Sequence, residues 1–288
     1  MAIVYAFCCL LFAAVNDFVF KLFANHSQAS ADRKSCGGFV TLVGLVEVIL
    51  LSPLIHDVAD WKASLLWGLL GGFLSVASNI LLIESMRFQS AGVSSTIFRL
   101  NMVLVVLGSF LFLGESMTWL VVTGVVCAAL AVIAFIPGRS GSNGGSSPSR
   151  AGLGFCLALA ACLLRALMSL SYKGAFTHGA DVNVVTVVTG AWWVVGGPIF
   201  ACVREHHVSL PDRSEWIIGL TSGVLVCGIV FFMARMNACG NASIVNPIAQ
   251  MSFLGTFLLS AVFLKERFTA RKVVAILLGC VAILCLTL

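Results

Sequence analysis

The chain has 288 residues, of which 60% are hydrophobic and only 10% charged, with a formal charge of +5 and a mean hydropathy of +1.06. A soluble domain carries roughly 25% charged residues, so this chain cannot present a water-compatible surface and belongs in a bilayer. Its basic residues stand singly between apolar runs and form no stripe, which excludes nucleic acid as a partner.

A spanning helix needs about 20 mostly apolar residues. Ten segments qualify: 2–23, 37–55, 63–84, 92–113, 118–137, 151–172, 183–203, 216–236, 241–264 and 269–288. They are read as helices, because strands in lipid require a closed barrel and these runs are too long and uniform for one. The first lacks a basic leader and runs past Phe20, so it is read as a span and not as a cleaved signal. It carries Asn16 and Asp17, with Lys21 near its end. The second holds Glu47 near its centre and the third Asn79. The fourth holds Ser95, Arg99 and Asn101, and closes on "FLGESMT" (Phe112 to Thr118) as the fifth begins.

Between the fifth and sixth spans, "GRSGSNGGSSPSR" (138–150) is Gly or Ser at nine of thirteen positions, the composition of a flexible linker. It divides the chain into units 1–137 and 151–288. The sixth span carries Arg165 and ends near Lys173. The seventh leads into the polar loop "REHHVSLPDRSE" (204–215), and Arg235 lies near the end of the eighth. The ninth begins with Asn246, Pro247 and Gln250 and closes on "FLKERFT" (Phe263 to Thr269), which opens the tenth. Lys21, Lys173 and Arg235 are expected to snorkel to headgroups from the span ends.

The two quoted phrases point to duplication. At a shift of 151, Glu115 falls on Glu266, Thr118 on Thr269, Ser95 on Asn246 and Arg99 on Gln250. One further residue of shift brings Lys21 onto Lys173 and His26 onto His178. At 145, Thr41 and Pro53 meet Thr186 and Pro198 in the second and seventh spans. An odd number of spans per unit makes the second unit enter from the opposite side. The expected fold is therefore an all-α integral membrane protein of ten transmembrane helices, in two inverted five-helix repeats. Inverted repeats around a midplane site are the signature of secondary transporters. The repeated phrase has a structural role as well: Thr118 and Thr269 are positioned to cap the next helix, with a Glu near its positive end.

With "LGESMT" and "LKERFT" closing the fourth and ninth of ten helices, the whole chain resembles the drug/metabolite transporter (DMT) superfamily, in its EamA-like branch. That resemblance implies a transporter of small organic metabolites. It also implies a central cavity lined by the first, third, fourth, sixth, eighth and ninth helices. Family members often carry a proline in the middle of the fourth and ninth helices, where this chain has Met102 and Phe253.

Ionisable groups in a span cost about 2.5–3.5 kcal/mol each on insertion scales, so Asp17, Glu47, Arg99 and Arg165 are the functional candidates. By helix rise, Arg99 lies about 10 Å and Asp17 about 9 Å below the same face, within pairing reach, while Arg165 lies about 21 Å from it, towards the other side. Asp17 and Arg99 read either as a structural ion pair or as a pair whose Arg binds an anionic substrate group. Arg165 reads as a second cationic contact. Glu47 has three readings: a proton-coupling carboxylate, a packed residue, or the partner of Arg165. Ser95 with Arg99, and Asn246 with Gln250, are each spaced i, i+4, so each pair lines one helix face. Cavity lining and interhelical hydrogen bonding both explain such stripes. Asn16, Asn79, Asn101 and Asn237 carry weaker signals.

The five histidines fall in loops or at span ends, and no H-E-x-x-H, G-x-S-x-G or phosphate-binding Gly loop occurs, which argues against an embedded enzyme. No filter-like sequence or ring of charges argues for a channel. The eleven cysteines lie mostly in apolar runs with no C-x-x-C pair, so they read as packing residues, and no metal or cofactor is implied. Energy must come from a gradient or exchange, with a proton or counter-substrate as the coupled species. The expected function is secondary active transport of a small polar or anionic metabolite by alternating access, as a monomer or homodimer. Efflux of lipophilic cations is the alternative. Both termini lie on one side of a bacterial inner membrane or a plasma or organelle membrane. Twelve Lys and Arg flank spans on the far side and three on the termini side, which places the termini away from the cytosol, whereas relatives are described with cytoplasmic termini.

Overall fold

The computed structural model describes residues 1–29, 36–56, 58, 60–113, 118–135, 148–205, 213–239, 248–265 and 269–287. The helices are α1 (Ala2–Ala29), α2 (Cys36–Leu51, extended by a 3-10 turn, Ser52–Leu54), α3 (Trp61–Met86), α4 (Ala91–Arg99) and α5 (Asn101–Leu113). They continue with α6 (Trp119–Phe135), α7 (Pro148–Thr177), α8 (Val182–Phe200, then a π turn, Ala201–Glu205), α9 (Arg213–Cys239), α10 (Ser252–Leu264) and α11 (Ala270–Thr287). Among the described residues, seven stretches are long and apolar enough to cross a membrane, and two shorter apolar helices, Trp119–Ala134 and Ile248–Leu264, accompany them. The protein is a multi-pass, all-α integral membrane protein. Helix α7 begins at Pro148, and residues 138–147 of the Gly/Ser-rich stretch lie outside the described residues.

The two units are related by a pseudo-two-fold operation that shows in the packing. Helices α1, α2, α3, α4–α5 and α6 correspond in repeat order to α7, α8, α9, α10 and α11. Exchanging the units turns the pairing of α1 with α9 into that of α7 with α3, and α2 with α9 into α8 with α3. The same exchange turns α1 with α10 into α7 with α4 and α5, and leaves α2–α8, α4–α10 and α6–α11 as self-paired contacts near the axis. All of these pairings are present.

Local details repeat too. Thr118 Oγ1 accepts from Val121 N–H at 3.3 Å, and Thr269 Oγ1 from Lys272 N–H at 3.4 Å, so both threonines cap as the sequence suggests. Glu115 and Glu266 lie outside the described residues. The fourth span is broken between α4 and α5 at Leu100 (φ −68, ψ −1), and the ninth at Met251 (φ −72, ψ 6), which is Leu100 shifted by 151. At each break the ladder tightens to i→i+3 bonds. Val103 N–H donates to Leu100 O at 3.0 Å and Leu254 N–H to Met251 O at 2.9 Å. No proline stands at either break. The usual proline positions, Met102 and Phe253, lie two residues further on, so the kinks form without the residue that commonly causes them.

The α2–α8 contact brings two backbones together. A Cβ on Gly37 would stand 2.2 Å from Gly197 O, and one on Gly197 would stand 2.4 Å from Gly37 O and 2.3 Å from Thr41 Oγ1. In lipid, such small-residue contacts supply the van der Waals packing that holds helices together. At the other ends of α3 and α8, Ser64 Oγ accepts from Asp181 N–H at 2.9 Å, while Asp60 and Asp181 cap their own helices.

Lys21 corrects an expectation. It does not snorkel: it is buried, and its Nζ donates to Met86 O at 2.6 Å and Gln89 O at 2.9 Å. A cation at these carbonyls answers the negative C-terminal end of α3. Arg235 is exposed, its guanidinium over Phe231 at 5.3 Å, as a span-end arginine should be. The side chain of Lys173 is outside the description.

Two stability outcomes follow. Gly197→Val should force α2 and α8 apart and cost about 1–3 kcal/mol, read as a lower Tm in detergent. Lys21→Met should cost a similar amount, about 1–3 kcal/mol, by stranding two buried carbonyls. It should also speed amide exchange at the end of α3 more than elsewhere, which a uniform loss of stability would not do.

Candidate functional site

The long helix α1 carries Asp17 on a face that α4 approaches. Asp17 is 3% exposed, and hydrocarbon does not tolerate a bare carboxylate there. Its partners come from one face of α4, as the i, i+4 spacing requires. Ser95 Oγ donates to Asp17 Oδ2 at 2.5 Å, and Arg99 NH2 reaches the same oxygen at 3.3 Å. Of the two readings of Asp17 and Arg99, the geometry contains the ion pair. The pair does not exhaust Arg99, whose buried Nε has no hydrogen-bond partner among the described residues.

Arg165 on α7 arrives where the depth estimate did not put it. Its guanidinium carbon lies 5.5 Å from the centroid of the Phe98 ring, and that of Arg99 lies 5.8 Å from the same centroid. The two cations approach the same aromatic ring. Gln89, just before α4, donates to Gly154 O of α7 at 3.3 Å, so Arg99 and Arg165, each about three turns further along, reach similar levels. The Arg165 head touches Met168 Sδ at 3.5 Å through NH1. Among the described residues it forms no ion pair, while Arg99, Tyr172, Asp17 and Glu47 all lie within electrostatic range of it.

Glu47 of α2 is 3% exposed, and its Oε2 has no hydrogen-bond partner among the described residues. It makes no ion pair among the described residues, so the reading as a direct partner of Arg165 is not met in this structure. On the second repeat, Gln250 stands immediately before the Met251 break, as Arg99 stands immediately before Leu100. Gln250 Oε1 and Ser252 Oγ are buried and have no partner among the described residues. Asn246 lies outside the described residues.

The weaker candidates resolve into local ties. Asn16 Oδ1 accepts from Ser222 Oγ at 2.7 Å and joins α1 to α9. Asn79 Nδ2 donates to Ser75 O at 2.9 Å within α3, and Asn101 Nδ2 to Phe98 O at 2.6 Å across the break. The side chain of Asn237 is outside the description. Sequence reasoning passed over two members of the cluster. Phe98 is the ring between the arginines, and nothing separates it from an ordinary core phenylalanine except its place next to Arg99. Tyr172 shares a hydrogen bond of 2.6 Å with Thr189 Oγ1 and ties α7 to α8 beside Arg165. As one of only two tyrosines in the chain, it offered a faint signal.

The model of the EamA-like transporter family matches the chain twice, at residues 1–136 and 152–288. No curated protein matches it. Among solved structures, one described only as the crystal structure of a protein superposes with a TM-score of 0.63 over 98% of this chain and 95% of that one. At 16% identity that likeness speaks for the fold alone. With both halves matched, the ten-span architecture in place and charged residues gathered between α1, α2, α4 and α7, this chain belongs to the EamA-like transporter family: it is a membrane transporter and not an enzyme.

Proposed function

We propose that the protein is a secondary active transporter that moves a small organic anion, or a polar metabolite with an anionic group, by alternating access. The observation that carries this reading is the pair of guanidinium groups on Phe98, of which, among the described residues, only Arg99 has a carboxylate at contact distance. Arg165 presents a planar fork suited to a carboxylate or phosphate, in a setting where an unanswered cation is costly. Arg99, oriented by Asp17 and Ser95, has its Nε left over for the same ligand. Gln250 stands at the repeat-related position and adds a polar group from the other half. Asn246 is the remaining proposed lining residue.

Alternating access is supported by the breaks at Leu100 and Met251. Each lies one residue from a proposed ligand contact, and they occupy equal positions in two inverted halves. A tightened turn is a place where a helix bends without breaking its ladder elsewhere. Bending one span and then the other would open the site to one side and then the other.

The test is a thermal-shift screen of the detergent-purified protein against carboxylates, sugar phosphates, neutral amino acids, nucleosides and lipophilic cations. A ligand at a hundred times its Kd should add about 2.7 kcal/mol. Anions should stabilise the wild type, and Arg165→Ala should lose that gain. Stabilisation by lipophilic cations alone, abolished in Glu47→Gln, would replace this reading with cation efflux. In the ligand-free protein the two arginines should behave differently. Asp17→Asn strands Arg99 and should cost on the order of 3 kcal/mol, whereas Arg165→Ala removes a cation that forms no ion pair among the described residues and should lower Tm by less.

A further inference from the structure

Glu47 is the buried acid that the anion site leaves unexplained. It lies in the last third of α2, 3% exposed, with Oε2 unpartnered among the described residues. The fold makes a place for it: Gly190 of α8 faces it, and a Cβ there would stand 3.2 Å from Glu47 Cγ. The charged or titratable groups within electrostatic range are Arg165 and Tyr172 from α7 and Cys227 from α9. The Tyr172 hydroxyl is engaged with Thr189, and Cys227 Sγ donates to Val46 O at 3.9 Å. Arg165 is therefore the group whose charge bears on Glu47.

The charges divide into two sets. Asp17 answers Arg99 by contact. Glu47 and Arg165 answer each other only across a gap, so the state of one depends on what else the other is doing. With both ionised the empty site is neutral. An anion docked on Arg165 claims that cation, and Glu47 would then be an unanswered carboxylate in hydrocarbon, which costs several kcal/mol. One proton removes that cost. On this bookkeeping a proton and an anion favour the same state of the protein.

Resting on the reading of Arg165 as the anion contact, we propose that Glu47 is the proton site of the transport cycle and is protonated in the state in which Arg165 holds the anion. One proton adds to the Glu47 carboxylate on the side where a monoanion binds, and both depart on the other side, so no net charge crosses. This is co-transport. It is the opposite of a carrier in which proton and substrate compete for one carboxylate.

The full chain, reconstituted in phosphatidylcholine vesicles, is titrated with pH under infrared difference spectroscopy, which reads the C=O stretch of protonated carboxyl groups. The wild type should show a band that Glu47→Gln lacks. Glu47→Asp, which keeps the carboxyl, should move the band in frequency, and this serves if the Gln variant does not fold. In Arg165→Gln the band should persist to a pH higher by about one unit, a tenfold change in proton affinity, while Arg165→Lys should leave its midpoint in place. Succinate or inorganic phosphate, added to the wild type, should act in the same direction as Arg165→Gln. Absence of a Glu47-dependent band, or a band indifferent to Arg165→Gln, overturns the proton site. A band that responds to Arg165→Gln but to neither anion overturns the coupling. The thermal-shift screen, run with the same two anions, then decides whether the anion site itself falls with it.

Discussion

The contact between α2 and α8 is the constraint from which the rest follows. Where Gly37 and Gly197 meet, backbone oxygen takes the space a side chain would fill, and no larger residue fits without moving a helix. The two helices are repeat mates, so this contact lies at the pseudo-two-fold axis and fixes how the halves face each other. The pairings of α1 with α9 and α3 with α7 are its consequences, one on either side. They bring α1, α4 and α7 close enough for Asp17, Arg99 and Arg165 to share a region of space. The same seam sets Gly190 against Glu47. A packing requirement thus becomes an electrostatic arrangement.

The scaffold is symmetric and the charge is not. Leu100 and Met251, Thr118 and Thr269, and the helix pairings all respect the two-fold relation. Asp17, Glu47 and Arg99 come from the first half, however, and of the buried charges discussed only Arg165 comes from the second. At the position equivalent to Arg99 the second half offers Gln250, a neutral group with its oxygen unpartnered. Full symmetry would have doubled every buried charge and every desolvation cost with it. Neutral polar residues on one side keep the stripe wettable and leave the net charge to a few side chains.

Much of this was legible in the sequence because hydrocarbon imposes a simple rule on long segments. Apolar runs located the spans, and the recurrence of Thr three residues before a helical N–H located the caps at Thr118 and Thr269. The pairing of Asp17 with Arg99 followed from rise per residue alone. Other features depended on what a one-dimensional reading omits. The breaks at Leu100 and Met251 carry no proline or glycine, so nothing local announces them. They arise where Asn101 Nδ2 takes the carbonyl of Phe98 and where the matching residue, Ser252, is also polar. Lys21 was misjudged because its partners, Met86 O and Gln89 O, become available only once α3 ends beside α1. Arg165 was placed too far from Arg99 because depth was counted from the expected span starts, whereas α7 begins at Pro148 and sets Gly154 beside Gln89, ahead of α4.

Within the proposed site, two cations on one rigid helix would repel at a fixed distance. Arg99 and Arg165 come instead from different halves, and both approach the ring of Phe98, which lies on α4 one residue before Arg99 and two before the break. If α4 bends at Leu100, the ring and Arg99 move together relative to α7, and the spacing of the two guanidinium groups changes with them. On the proposed anion reading, a bound anion would favour their approach and an empty site their separation. The conformation that binds would thereby be tied to occupancy through the repulsion itself, with the bend at Leu100 as the joint and its counterpart at Met251 available for the opposite movement.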